Sequence, residues 1–183
     1  MEERLETRIP LIGDKAPSFK AVTTQGEINF PEDYKGKWVI LFSHPADFTP
    51  VCTTEFITFG AMMDEFKKLN TELVGVSIDS LHSHIAWLRA AGQIEWKNYK
   101  NVEIKFPLID DVKMEVSKKY GMLQPGFSDT QAVRAVFIIC LLYTSDAADD
   151  LLCVDLGGRR IIKKKKSDNA RHIHTTETKQ TKI

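Results

Sequence analysis

Up to residue 139, short continuous apolar runs alternate with stretches whose apolar residues recur at helical spacing. A continuous apolar run is typical of a strand that is buried on both faces of a sheet. One such run, at residues 38–42, predicts a core strand, and two further segments rich in apolar residues, at 71–78 and 132–139, are also expected to be core strands. A shorter strand is expected at 106–109, and residues 1–37 indicate an N-terminal arm with a small hairpin.

The longest helical pattern follows the first core strand and runs from residue 50 to about 69. Thr49 suits the N-cap position and Pro50 suits the first helical position. Five residues spaced by four, three, four and three positions share one face: Cys52, Phe56, Phe59, Met63 and Phe66. Cys52 is therefore predicted in the first turn, on the buried side of the helix.

Two more helices are indicated by inward-facing apolar residues: Leu81, Ile85 and Leu88 in one, and Val112, Val116 and Tyr120 in the other. Ser80, with the aspartate before it, is expected to cap the first of these helices, and Gly121 is expected to end the second. Strands that alternate with helices predict an α/β fold, with a central sheet and helices on both of its faces.

Composition is that of an ordinary globular chain: 183 residues, 43% hydrophobic and 27% charged, with 25 basic and 25 acidic residues. The balance argues against a nucleic-acid binder, which would show clustered basic charge. The longest apolar run, at 135–143, is too short to span a bilayer, and the charged N-terminus does not resemble a secretory signal. Three cysteines form no disulfide framework. These features predict a cytoplasmic protein with no membrane partner.

The average hides a break near residue 139. Residues 1–139 hold 16 basic and 19 acidic residues, whereas residues 140–183 hold 9 basic and 6 acidic residues and end in a lysine run and a polar tail. Residues 140–150 and 153–162 can both be back-translated into sequences that resemble the two ends of a transposase-based sequencing library. We therefore expect a domain at 1–139 that is incomplete at its C-terminal end, and an artefactual, disordered tail at 140–183. The alternative is a genuine basic tail that binds an acidic partner.

Cys52 is the residue most suited to chemistry. A cysteine in the first helical turn faces free backbone N–H groups and the positive end of the helix dipole, which favour the nucleophilic thiolate. Arg134, predicted on a core strand, needs a partner, and the thiolate with Glu55 would supply one. Thr49 can place its hydroxyl beside the sulfur, and Pro45 can close one wall. Such a site suits attack on a peroxide O–O bond, with sulfenic acid as the product.

Each residue also has a simpler interpretation. Cys52 could be a core thiol, Thr49 only a cap, Pro45 a turn residue and Glu55 an anion favoured at a helix N-terminus. Arg134 could belong to a structural ion pair. Two histidines on the predicted third helix, His82 and His84, face apart at this spacing and predict surface and packing roles rather than a metal site. The pair at 110–111 is expected to form a turn and a helix cap.

The segment from Ser43 to Glu55 reads SHPADFTPVCTTE, and its Pro-x-x-x-Thr-x-x-Cys core at 45–52 matches the peroxiredoxin active-site motif. The longer segment resembles the one-cysteine, peroxiredoxin-6-like subfamily, and the stretch around Arg134 resembles the strand that carries the family's active-site arginine. The resemblance covers about residues 8–139. It implies a thioredoxin-like fold and thiol-dependent reduction of hydrogen peroxide and organic hydroperoxides. It also implies an external thiol reductant, homodimers or rings, and no cofactor or metal.

The resemblance further implies a role for each site residue. Cys52 is the peroxidatic cysteine, Thr49 and Arg134 hold the peroxide and activate the thiolate, and Pro45 shields the sulfur. Glu55 orients the arginine. The remaining residue of the set, His44, matches the histidine that distinguishes the subfamily and lies near the sulfur; its alternative is a loop histidine with no catalytic role.

Other functions stay open at this point. A thiol–disulfide oxidoreductase would want Cys-x-x-Cys, but Cys52 is followed by Thr53, Thr54 and Glu55. A chaperone-like assembly protein is the non-enzymatic alternative, since large rings of this family can act as holdases. An inactive, aggregation-prone fragment is the last alternative, because the strand predicted at 132–139 could form an open sheet edge.

Overall fold

The structure, a computed structural model, describes residues 8–124, 128–141 and 154–156, and of residues 124, 128–131 and 154–156 the backbone alone. Strands and helices alternate through most of this length. The strands are β1 (Phe19–Thr23), β2 (Gly26–Phe30), β3 (Trp38–Ser43), β4 (Thr71–Ser77), β5 (Leu108–Asp110), β6 (Leu123–Gln124), β7 (Ser128–Ala132), β8 (Val136–Cys140) and β9 (Val154–Leu156). The helices are α1 (Pro50–Ala61), α2 (Met63–Lys68), α3 (Leu81–Gly92) and α4 (Glu115–Lys119), with a short 3-10 turn at Glu32–Tyr34.

Seven strands form one mixed sheet in the spatial order β2-β1-β5-β4-β3-β8-β9. The centre is parallel, since β4 pairs in parallel with both β3 and β5. Antiparallel neighbours extend the sheet on both sides: β8 pairs with β3 and β1 pairs with β5. The two remaining strands, β6 and β7, pair in a separate small sheet.

The sheet separates two apolar clusters, so helices cover both faces, as predicted. On one face, α4 places Val116 and Tyr120 against the core of β3, β4 and β8. On the other face, the helices α1, α2 and α3 contribute Cys52, Phe56, Met63 and Trp87. The predicted hairpin in the N-terminal arm is formed by β1 and β2.

The helix predicted at 50–69 is interrupted. The first part, α1, ends at Ala61, and Met62 joins it to α2 with backbone angles (φ −92°, ψ 6°) outside the α-helical range. Phe59 and Phe66 still pack against the same cluster as Cys52. The predicted apolar face therefore survives the break, although the helix does not continue through it.

The buried face of α3 differs from the prediction. Leu81, Ile85 and Leu88 are half-buried, whereas the buried residues are His84, Trp87 and Ala91. Hydropathy misplaced this face because a histidine and an indole N–H can be buried where hydrogen-bond partners exist, and both find partners here. The predicted Ser80 cap is confirmed, since its hydroxyl accepts from the Ser83 N–H at 3.4 Å.

Three other predicted elements have different bounds in the structure. The strand predicted at 132–139 is broken, because β7 ends at Ala132 and β8 begins at Val136; Arg134 lies in the connection rather than on a core strand. The strand predicted at 106–109 is β5, which begins two residues later. Val112 is exposed in the turn before α4 and does not belong to that helix.

Order continues past the expected boundary at residue 139. Cys140 ends β8, and Leu141 is buried and exchanges backbone hydrogen bonds with Gly36 and Lys37. The backbone of β9 pairs antiparallel with β8, so three residues of the tail expected to be disordered lie in the sheet. The rest of that tail lies outside the described residues. No helix in the described part of the chain is long and apolar enough to cross a membrane.

Candidate active site

Cys52 lies in the first turn of α1, as the sequence predicts, and only 1% of its surface is exposed. Pro50 occupies the first helical position, and the first intrahelical bond runs from the Thr53 N–H to the Thr49 carbonyl at 3.0 Å. The N–H groups of Val51 and Cys52 therefore have no acceptor within the helix. The thiol sits at the positive end of the helix dipole, where a negative charge is favoured.

Thr49 is the N-cap by its extended backbone (φ −83°, ψ 142°), but its side chain makes no capping hydrogen bond. The Thr49 hydroxyl instead donates to the Ala46 carbonyl at 3.0 Å. The expected capping by its side chain is therefore absent. Because the proton of the hydroxyl is used, its oxygen lone pairs are left to accept a hydrogen bond.

Arg134 reaches the sulfur from the connection before β8. Its Nη2 donates to the Cys52 Sγ at 3.2 Å, and its Nη1 donates to the Glu55 carboxylate. Both side chains of the Arg134–Glu55 pair are 38% exposed. Burial would lower the pKa of Arg134, but the hydrogen bond to Cys52 and the charges of Cys52 and Glu55 outweigh it and raise the pKa. The guanidinium thus stays positively charged and lies beside the sulfur.

Ser43, the last residue of β3, holds the backbone on both sides of Arg134. Its hydroxyl donates to the Val133 carbonyl at 2.5 Å and accepts from the Ala135 N–H at 2.9 Å. Its backbone N–H donates to the Ala135 carbonyl, also at 2.9 Å. These bonds replace regular strand pairing at this point. Sequence reasoning gave Ser43 no role; the signal available was a serine at the end of a core strand, directly before the motif.

A second contact that the sequence did not reveal supports the start of α1. The indole N–H of Trp87 donates to the Thr53 hydroxyl at 3.0 Å, and that hydroxyl donates to the Thr49 carbonyl at 2.8 Å. Trp87 is almost completely buried and belongs to the cluster that contains Cys52. The residue after the cysteine is therefore tied to α3.

His44 is fully buried, with its ring against Phe56 and Trp87 at centroid distances of 5.0 and 4.9 Å. Its Nε2 lies 2.9 Å from the Asp47 Oδ1, so its hydrogen bond goes to that carboxylate rather than to the sulfur. Pro45, the next residue, is half-buried. The role of Pro45 as a shield and of His44 beside the sulfur remain predictions.

One ligating atom from each of His44, Asp47 and Asp79 lies within 4.8 Å of the other two. The Asp79 Oδ2 already accepts from the Asp47 N–H and the Ser77 hydroxyl, both at 2.9 Å. Both Asp47 oxygens likewise have hydrogen-bond partners. The arrangement fits a hydrogen-bond network better than a metal site.

The remaining predictions on α3 and near β5 are confirmed. His82 is exposed and His84 is buried, so the two face apart. The carboxylate of Asp111 accepts from the N–H groups of Val116 and Ser117 at the start of α4, at 3.0 and 2.7 Å. Asp110 accepts from the Val112 N–H in the turn.

A mixed sheet with helices on both faces defines a thioredoxin-like fold, and in this chain a buried cysteine at a helix start has a guanidinium against its sulfur. A family model described as AhpC/TSA matches residues 12–140. The chain belongs to this family, the peroxiredoxins.

Relatives agree with this assignment. A peroxiredoxin of Methanosarcina mazei is 73% identical over 132 residues, covering 72% of this chain and 60% of that protein. A peroxiredoxin of Aquifex aeolicus is 54% identical over 131 residues, covering 72% of this chain and 57% of that protein. The chain thus spans somewhat less than two thirds of these relatives' length.

Solved structures show the same fold. A yeast mitochondrial 1-Cys peroxiredoxin is similar with a TM-score of 0.64 and 36% identity, over 73% of this chain and 64% of that one. A 2-Cys peroxiredoxin of Plasmodium vivax is similar with a TM-score of 0.61 and 31% identity, over 82% of this chain and 89% of that one.

Proposed function

We propose that this chain is a thiol-dependent peroxidase that reduces hydrogen peroxide and organic hydroperoxides, with Cys52 as the peroxidatic cysteine. The observation that carries the proposal is the Arg134 Nη2 at 3.2 Å from a sulfur that is almost completely buried. A guanidinium in this position favours the thiolate and can also stabilise charge on an oxygen that departs from the sulfur. Family membership supports the reaction class.

The proposed reaction assigns a step to each of these groups. The Cys52 thiolate attacks one peroxide oxygen, an S–O bond forms and the O–O bond breaks. Sulfur is oxidised to sulfenic acid, and the peroxide is reduced to water or an alcohol, which takes up a proton as it leaves. Thr49 accepts a hydrogen bond from the peroxide O–H, because its own proton is donated to the Ala46 carbonyl. Arg134 and the free N–H groups at the start of α1 stabilise the departing oxygen, while Glu55 orients the arginine.

Restoring the thiol requires two electrons from outside the site. Cys52 and Cys140 are both free thiols, and we propose that an external thiol reduces the sulfenic acid: two reductant thiols become one disulfide, and water leaves. The yeast 1-Cys relative has its thiol resolved via glutathione/thioredoxin systems, which supports this class of reductant. We further propose a cytoplasmic location and assembly into homodimers or rings.

The test is the rate at which Cys52 is oxidised by stoichiometric hydrogen peroxide, followed by intact mass. We expect the mass of one oxygen atom to be added to Cys52 orders of magnitude faster than to an unactivated thiol. Cys52→Ser should remove this reaction, whereas the matched Cys140→Ser should leave it unchanged. If Cys52 in the intact chain reacts no faster than an ordinary thiol, the proposed function is wrong for this chain.

A further inference from the structure

A second charged cluster lies beside the active-site loop, and the reaction described above does not use it. Its centre is the Asp47 carboxylate, which has partners from two elements. From the loop, the His44 Nε2 lies 2.9 Å from Oδ1. From α3, the His84 Nδ1 and the Ser83 hydroxyl each lie 2.8 Å from Oδ2. Both histidine rings are fully buried.

The partners of His84 fix its protonation. Its Nδ1 faces the Asp47 carboxylate, and its Nε2 lies 3.1 Å from the Ile109 carbonyl of β5. A carbonyl oxygen can only accept a hydrogen bond, and an ionised carboxylate can also only accept. Both ring nitrogens must then donate, which requires a doubly protonated, positively charged ring. A buried charge of this kind needs a partner of opposite sign, and Asp47 is that partner.

Asp47 is suited to stay ionised. Burial would raise the pKa of its carboxyl, but the hydrogen bonds from His44, His84 and Ser83 and the charge of His84 lower the pKa to about 2. Three donors on one carboxylate satisfy most of its lone pairs, which is the arrangement that compensates a buried anion.

His44 requires the opposite assignment. Its Nε2 donates to Asp47, whereas its Nδ1 is buried and has no hydrogen-bond partner among the residues that the structure describes. A proton on Nδ1 would be a buried, unsatisfied donor, which is costly. His44 is therefore the neutral ring with its proton on Nε2. One carboxylate thus lies between a charged histidine and a neutral one, and the three side chains together carry no net charge.

We propose that Asp47 is a positioning residue for the Cys52 reaction, held by a positively charged His84 in α3 and by His44 as its neutral Nε2–H tautomer. The cluster acts on the loop between β3 and α1, which carries Pro45 and Thr49. The Asp47 N–H adds a further tie, to the Asp79 carboxylate after β4. The titratable groups that meet in this cluster are then Asp47 and His44 from the loop, His84 from α3, and Asp79 after β4. The inference about reaction rate rests on the proposed function; the inference about protonation does not.

The protonation states can be read directly by nitrogen NMR on the full chain with ¹⁵N-labelled histidine, with resonances assigned through single variants. We expect His84 to show the imidazolium pattern at pH 7, because both of its ring nitrogens face hydrogen-bond acceptors. His44 should show the neutral pattern with the proton on Nε2. A His84 ring that is neutral at pH 7 would overturn the assignment.

The positioning role is tested with Asp47→Asn under conditions where the variant retains native circular dichroism. We expect Cys52 oxidation to slow about tenfold or more, because a small displacement of positioning groups has effects of this size. In the same variant, His84 should lose the imidazolium pattern at pH 7, a spectroscopic change that mere destabilisation would not produce. Ser83→Ala, which removes only one donor to Asp47, should slow the reaction less and serves as the milder variant if Asp47→Asn does not fold.

The matched control is His82→Gln, an exposed histidine two residues from His84 on the same helix, which should leave the rate and both histidine patterns unchanged. If His84 is charged and the Asp47→Asn rate equals that of the parent, the positioning role is wrong. If the parent chain itself oxidises slowly at Cys52, the proposed peroxidase function fails instead, and the histidine spectra still decide the protonation states.

Discussion

Two charged clusters lie at the loop that joins β3 to α1, and they differ in how far their charges are exposed to solvent. In the sulfur cluster, defined as Cys52, Arg134 and Glu55, the two charged side chains are 38% exposed. In the histidine cluster, defined as His44, Asp47 and His84, no side chain is more than 2% exposed. Both hold a cation against an anion, but only the first is partly exposed to solvent.

The difference in exposure determines how strongly each charge pair contributes to stability and how easily it can rearrange. A charge pair near solvent is weakened by water and can rearrange when a peroxide enters. A buried pair must be fully hydrogen-bonded, and removing one partner leaves an uncompensated charge. The side chains of the sulfur cluster can therefore rearrange, while the histidine cluster holds the loop that carries Thr49 in one position. Changes in the sulfur cluster should affect mainly rate, and changes in the histidine cluster should also affect stability.

The largest effect is expected at Arg134. Arg134→Ala removes the donor to the Cys52 sulfur and should reduce the rate of Cys52 oxidation by about 10²–10³-fold, the usual loss when one preorganised charge donor is removed from an active site. The oxidation rate of Arg134→Lys should lie between those of the parent and Arg134→Ala. A lysine keeps the charge, but it lacks the planar fork that bonds the sulfur and the carboxylate together. Stopped-flow oxidation by hydrogen peroxide measures both.

Arg89→Ala is the control, since Arg89 is exposed in the last turn of α3. It should leave both rate and unfolding free energy unchanged. An Arg134→Ala variant that oxidises within threefold of the parent would show that the helix N-terminus alone activates the thiol.

The next effect concerns acid stability through Asp47. The pKa of this carboxyl falls from the ordinary 3.8 to about 2 in the folded chain. A lowered folded-state pKa stabilises the fold above the unfolded value, and the contribution disappears as pH falls from about 4 to 2. The shift corresponds to about 2 kcal/mol at neutral pH. In urea unfolding, the difference in unfolding free energy between the parent and Asp47→Asn should shrink by about this amount over that range.

Asp64→Asn is the matched control for that titration, because Asp64 is exposed in the first turn of α2. Its difference from the parent should stay nearly constant with pH. If the Asp47→Asn difference also stays constant between neutral pH and about pH 2, the carboxylate is not held as an ion by its histidine partners.

The two clusters also differ in how much of each could be predicted from the sequence. The continuous apolar runs of β3 and β4 and the first-turn position of Cys52 were predictable, because each depends on local residue order. Arg134, the residue that the resemblance indicated, does lie against the Cys52 sulfur, but it lies in a connection and not on the predicted strand. It was placed on a strand because its neighbours are apolar, whereas the hydroxyl of Ser43 divides that stretch into β7 and β8.

The histidine cluster was not predictable in the same way. His82 and His84 were expected to be surface and packing residues, because two residues at this spacing face apart on a helix. The burial of His84 depends on Asp47, which is 37 residues away along the chain. Hydropathy records the cost of burying each polar group but not the partner that compensates it. For this reason the buried face of α3 was misassigned while its ends were nearly right.

A smaller effect is expected from Ser43, which connects the sulfur cluster to the sheet. Ser43→Ala leaves the Ala135 N–H without the hydroxyl acceptor, which should cost about 1–2 kcal/mol of stability, and it should slow Cys52 oxidation several-fold because Arg134 loses its fixed backbone. Ser117→Ala is an apt control, since the Ser117 hydroxyl is buried and makes no hydrogen bond among the described residues. That variant should be neutral, and a Ser43→Ala variant that behaves the same way would contradict the role given to Ser43.

The smallest effect is expected at Glu55, and it separates the two kinds of charge pair most clearly. Glu55→Gln keeps the shape and removes the anion that holds Arg134. Because this pair is more than one third exposed, solvent screening limits its contribution, and the oxidation rate should fall only about two- to fivefold. The loss should diminish further in high salt, where a variant in the buried histidine cluster should show no such dependence.

Glu72→Gln breaks the similarly exposed Lys37–Glu72 pair, far along the strands from the sulfur, and should not change the rate at any salt concentration. A Glu55→Gln loss that is large and independent of salt would mean that the sulfur cluster is as rigid as the histidine cluster, and the contrast between the two would fail.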